Sequence, residues 1–159
     1  MVGTIVLDPA NPQAVKGQIK VDLNTLKTGL DRRDAAMRST FLQSEGNDAN
    51  RYAVFDVRGA EIAGPLEPGK ARPAKVRGAL TIRGKAIETI ADCVIHYVRL
   101  TPEQAAEQKI YGFTPDTLRV IARFATTFTN HAMQIPQFLI LRVSNDIQLE
   151  TDLVLVKAP

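Results

Sequence analysis

Apolar and polar residues alternate one by one along most of this chain, the spacing of strands that bury a single face. Gly17, Ile19, Val21 and Leu23 interleave with Lys16, Gln18, Lys20 and Asp22. Ala53, Phe55 and Val57 interleave with Tyr52, Val54, Asp56 and Arg58, and Val76, Gly78, Leu80 and Ile82 do so with Arg77, Ala79, Thr81 and Arg83. Leu118, Val120, Ala122, Phe124, Thr126 and Phe128 share one parity of a longer run, and Ile147, Leu149, Thr151, Leu153 and Leu155 that of the last. A short first strand over residues 4–7 ends at Asp8-Pro9, and Pro12 keeps the following link out of any ladder. Between residues 87 and 100 both parities are apolar: Ile87, Ala91, Cys93, Ile95 and Tyr97 on one, Ile90, Val94 and Val98 on the other. A bulge that shifts the register, or a covered outer face, accounts for such a strand equally well.

One segment departs from the period of two. Asp31 is placed to cap a helix whose third position is Asp34, and Ala35, Ala36, Met37 and Arg38 favour its continuation. The spacing predicts a helix over about residues 32–42, with Leu30, Met37 and Phe41 near one face and Gly46-Asn47-Asp48 as its exit turn. Such a helix would cover a sheet edge or a barrel mouth. Residues 61–73 form a Pro- and Gly-rich surface loop, and residues 101–116 a second, with a helical stretch from Pro102 to Gln108. Seven strands and one short helix predict an all-β domain: a closed or nearly closed antiparallel barrel.

A chain of 159 residues fits one domain, spanning 1–159, with a core that needs no disulfide or metal. Its net charge of +3 comes from basic residues scattered singly, without the stripe and interleaved aromatics of a nucleic-acid surface. No apolar run reaches the length of a membrane span, so the sequence does not read as an integral membrane protein, and residues 2–8 lack the pattern of a signal peptide.

Catalytic signatures are absent. The chain has no G-x-S-x-G elbow, no phosphate-binding glycine loop and no H-E-x-x-H helix, and it is read as a non-enzyme without cofactor or metal. Cys93 and His96 make half a zinc motif at most, and on a strand they point to opposite faces. Asp31, Arg32, Arg33, Asp34 and Arg38 form the densest charged cluster, read first as a helix cap with local ion pairs and second as an anion or headgroup site. The inward strand faces either fill a core or line a cavity. Small residues among them, at Gly17, Gly78, Ala122 and Thr126, would leave room for a guest.

Four stretches, in this order, carry a family resemblance: Thr28-Gly29 with Arg33-Asp34, Met37-Arg38-Ser39 and Phe41-Leu42; Gly78 to Gly84; Asn130 to Pro136; and Val143 to Leu153. Together with Gly3 to Asp8 they resemble the YceI-like lipid-binding domain. The resemblance implies a lipocalin-like antiparallel β-barrel enclosing an isoprenoid chain such as a polyprenyl or quinone tail, often dimeric and periplasmic or otherwise extracytoplasmic, with the cytoplasm as the second choice. If that barrel is hollow, the inward strand faces put its apolar lining at Ile19, Val21 and Leu23, at Phe55 and Val57, at Leu80 and Ile82, at Phe124 and Phe128, and at Leu149 and Leu153, with Met37 and Phe41 at the helix. The resemblance also implies that the family's first strand is lacking before Met1. A barrel one strand short leaves an edge open unless a partner chain or another pairing closes it. Three readings follow: an isoprenoid-binding module, an assembly protein completed by a neighbour or by self-association, and an enzyme using the Asp31 to Arg38 cluster.

Overall fold

The computed structural model describes residues 1–138 and 140–158. The alternating runs become β1 (Val2–Val6), β2 (Lys16–Asp22), β3 (Tyr52–Ile62), β4 (Ala71–Ile82), β5 (Lys85–Arg99) and β6 (Asp116–Thr127), then a small hairpin of β7 (Gln137–Phe138) and β8 (Leu141–Arg142), and finally β9 (Asp146–Val156). The main sheet runs β1-β2-β3-β4-β5-β6-β9, each strand antiparallel to the next. Its registers carry apolar rows across the concave face. One row passes Gly3, Ile19, Phe55 and Leu80; the next passes Ile5, Gly17, Val57 and Gly78.

Gly78 is there because nothing larger fits. A Cβ at this position would lie 2.7 Å from the Phe55 ring and collide with the Asp56 carbonyl oxygen. The absent side chain lets the Phe55 ring lie against β4, where it packs on all three apolar clusters of the core.

Two irregularities decide which residues face inward. The register shifts between Val57 and Gly59, so beyond the bulge the inward positions of β3 become Ala60 and Ile62, both buried. β5, by contrast, pairs without a shift along its whole overlap with β4 and β6. Its double apolar character therefore comes from an apolar outer row, and Ile90, Val94 and Val98 stand exposed on the convex face.

The mostly antiparallel sheet is the barrel class read from the sequence, but it curls into a half-barrel. Among the described residues β1 and β9 pair with each other nowhere. Two short helices flank it: α1 (Asp31–Ala36) and α2 (Pro102–Gln108), the second over the helical stretch expected there. α2 starts on a capping box in which Thr101 and Gln104 satisfy each other's backbone amides.

α1 is shorter than the expected span over residues 32–42 because the chain widens into a π-turn at Met37–Phe41, where the Leu42 amide donates to the Met37 carbonyl at 2.8 Å. Nor does Asp31 cap it. Leu30 is the N-cap, and Asp34 turns away to accept hydrogen bonds from the Thr28 amide, at 2.9 Å, and the Thr28 hydroxyl. The exit is a turn at Glu45-Gly46 and a 3-10 turn at Asp48–Asn50, capped by the Asn47 side chain.

Strand direction sorts the connections. Residues 23–51, 83–84 and 128–145 link strands at one end, with α1; residues 7–15, 63–70 and 100–115 link them at the other, with α2.

Candidate functional site

The inward rows enclose an apolar trough of about 340 Å³. Phe55 and Phe124 meet across it, ring centroids 5.5 Å apart and tilted by 45°, within the range in which aromatic pairs attract. Exposure grades across the lining. Val57, Leu80, Ile82, Ala91, Cys93 and Ile95, on β3 to β5, are buried. Ile5, Ile19 and Val21 on β1 and β2, and Val120, Leu149 and Leu153 on β6 and β9, are half-buried. Water therefore reaches the trough along the gap between β1 and β9.

Of the positions expected to line a cavity, Ile19, Val21, Leu23, Phe55, Val57, Leu80, Ile82, Phe124, Leu149 and Leu153 do line it. Met37, Phe41 and Phe128 do not. Phe128 belongs by parity to the inward face of β6, but β6 ends at Thr127 and Phe128 has already turned into helical backbone as the N-cap of the next 3-10 turn. It packs with Leu42, Leu80, Ile82 and Met133 in the cluster that stoppers the α1 end, and Met37 packs against that cluster. Phe41 sits half-buried in the π-turn, away from the trough.

Other lining residues lay outside that expectation. Ile5 and Leu7, with Pro12 and Val15 of the following link, close one side, and Ala60 and Ile62 enter behind the bulge. Gly59 was the available signal for the bulge, since a glycine inside a strand often marks one.

The lining offers little chemistry. Glu150 and Thr151 are its polar members besides the Cys93 thiol, which burial pushes up to about 11 and so keeps protonated and unreactive. Among the described residues no three His, Cys, Asp or Glu side chains converge as metal ligands. His96 lies on the convex face, opposite to Cys93.

The charged cluster at α1 is used to fold the β2–β3 connection. The Thr28 hydroxyl donates to Asp34 and accepts from Arg33 Nε at 2.8 Å; Arg33 also donates to the Thr28 carbonyl at 3.0 Å. Arg38 donates to the Leu26 carbonyl at 3.3 Å. Asp34 is buried, and its hydrogen bonds from Thr28 hold the carboxyl below its ordinary range.

At the same end His131 is fully enclosed. Its Nδ1 donates to the Lys85 carbonyl at 3.0 Å, so in the neutral ring Nε2 accepts from the Thr126 hydroxyl at 2.8 Å. This fixes one tautomer and joins the β6–β9 connection to β5. Burial lowers the His131 pKa, which keeps the ring neutral.

Fold and trough together define a class: an antiparallel, lipocalin-like half-barrel with an apolar interior. The chain belongs to the YceI-like family, whose YceI-like domain matches residues 1–155. The fold is similar to that of the Campylobacter jejuni YceI protein, at 15% identity and a TM-score of 0.74, over 99% of this chain and 81% of that one. Burkholderia cenocepacia BcnA is similar at 15% identity and a TM-score of 0.69, over 98% of this chain and 83% of that one. No curated protein matches the sequence.

His131 gives stability a defined pH dependence. Its folded pKa lies below the unfolded value of about 6.5, so the unfolded chain binds the extra proton first as pH falls. The contribution is complete above that value and is lost as pH drops through it towards the folded pKa. Denaturation midpoints measured between pH 8 and 5 (about the range that brackets an ordinary histidine) should fall on the acid side, and His131→Gln should flatten that part of the curve.

Proposed function

We propose that this protein binds a long apolar isoprenoid lipid, a polyprenyl or quinone tail, in the trough, and carries or sequesters it without catalysis, residues 1–159 acting as one domain. The observation that carries this reading is the lining: a nearly unbroken hydrocarbon surface, open to water along one side of the half-barrel. Membership of a family known for binding polyisoprenoid lipids supports it. YceI-like proteins are generally periplasmic, which favours an extracytoplasmic location. Among the described residues no helix is long and apolar enough to cross a membrane.

The energetics suit such a ligand. Each methylene moved from water to an apolar lining contributes ~0.8 kcal/mol, so about twenty would contribute roughly 16 kcal/mol gross. Association and ordering cost several to more than ten kcal/mol of that, leaving micromolar to nanomolar affinity. A volume of 340 Å³ is near the lower bound of ~300 Å³ for small-molecule pockets, so a long tail would also lie in the open groove between β1 and β9. There it would cover the half-exposed side chains Ile19, Val21, Leu149 and Leu153.

Delipidated protein mixed with a polyprenyl alcohol and re-isolated should retain the lipid. Val21→Arg and Leu153→Arg put a cation into the trough from its wetter side, where the head can reach water and the fold survives. Each should reduce retention more than tenfold, about the effect of 1.4 kcal/mol. Retention unchanged in both folded variants would refute the trough as the site.

A second reading, an assembly protein, is favoured by the strand count. β1 and β9 are the two ends of a seven-stranded antiparallel meander, so they run the same way and cannot close on each other antiparallel. A strand from a partner, or a homodimer sharing its edges, would satisfy them. Sedimentation at micromolar concentration distinguishes the readings: assembly requires a dimer or larger species, whereas a strict monomer eliminates self-association.

A further inference from the structure

The two ends of the half-barrel differ in charge. The connections at the α1 end carry seven Lys and Arg against four Asp and Glu; those at the α2 end carry two against four. Six of the seven cations at the α1 end form no salt bridge among the described residues; Arg51, paired with Asp22, is the other. Arg33, Arg38 and Arg83 are hydrogen-bonded to neutral acceptors, at Thr28, the Leu26 carbonyl, and Gln43 with the Ala132 carbonyl. One of the opposing acids, Asp34, is buried and bonded to Thr28.

Among those cations stand exposed apolar side chains on two separate connections. Leu26 and Leu30 project from the β2–β3 connection, and Ile140, Leu141 and Val143 from the β6–β9 connection, Ile140 being 95% and Leu141 67% exposed. Leaving such side chains in water costs free energy. The α2 end also exposes apolar side chains, Ile110 and Tyr111, but there the connections carry more acids than cations. The platform beneath them is firm, because Leu23 and Leu42 of one connection pack with Phe128 and Met133 of the other. Leu26 also lines the trough, and its other exposed apolar member, Met1, precedes β1 at this same end.

We propose that the α1 end is a docking surface for an anionic lipid membrane. Apolar side chains on separate loops, each beside a cation, suit a fluid interface: the leucines and isoleucine enter the headgroup–acyl boundary, and Lys27, Arg32, Arg83 and Arg142 meet lipid phosphates. A protein partner would instead need one continuous complementary face. Docked this way, the protein brings the exposed part of the trough lining, Met1 and Leu26, to the bilayer from which an apolar tail would enter. The surface goes beyond the cargo-binding reading and stands without it.

The test is co-flotation of the full chain with vesicles of phosphatidylcholine alone or phosphatidylcholine mixed with phosphatidylglycerol. Binding is expected to the mixed vesicles only, and to weaken as salt is raised. The double variants Arg32→Gln/Arg142→Gln and Ile140→Ser/Leu141→Ser, all at exposed positions and with unchanged melting temperatures, should each bind about tenfold or more weakly. Leu153→Arg, near the far end of β9, should bind vesicles as the unmodified chain does, which separates failure of docking from failure of cargo binding. No flotation, equal flotation with neutral vesicles, or double variants that float undiminished or alter only self-association would overturn the proposal.

Discussion

In an antiparallel meander the direction of the last strand is set by the number of strands, and here that number is seven. β9 therefore runs parallel to β1, and the edge pairing that would seal an antiparallel barrel is denied to this sheet. The openness of the trough follows from that constraint. The rows that a closed barrel would hide are mostly buried on β3 to β5, yet largely half-wet on β1, β2, β6 and β9. Such a sheet keeps its apolar concave face against water at a standing free-energy cost. Whatever covers the face, a lipid tail or a strand, recovers part of it.

The fold tolerates this opening because its ends are well packed. At the α1 end Leu23, Leu42, Phe128 and Met133 form a stopper, and His131 ties the β6–β9 connection to β5 and β6 through two hydrogen bonds. At the α2 end Ile62, Leu66 and Tyr97 belong to a second cluster. Phe55 joins both to the third, and it can do so only because Gly78 leaves its ring room. The trough is thus a space held apart by its ends and its waist, not a core that failed to fill.

Much of this was legible in the residues. Strict alternation gave β2, β6 and β9 with the correct inward parity, and ten of the expected lining positions, among them Phe55, Leu80 and Phe124, line the trough. The misses have local causes. Parity is inherited along a strand only until it bends or ends. Ala60 and Ile62 were hidden behind the bulge at Gly59, and Phe128 was projected one residue past the end of β6. Asp31 looked like the cap because its type suits an N-terminus, but Leu30 holds that position; Asp34 lies within α1 as expected, and there Thr28 offers it two donors, a partner six residues away that helical spacing does not reveal. The doubly apolar β5 could not be resolved from one strand, because outward exposure depends on what its neighbours leave uncovered.

The central claim is that the open trough is occupied by an apolar ligand, and native mass spectrometry of protein purified from its own host without detergent addresses it most directly. The account predicts a discrete mass added to the folded chain, released on unfolding and extractable into organic solvent as a long-chain lipid. A folded, stable protein whose native mass equals that of the bare chain, or a whole multiple of it, would contradict it.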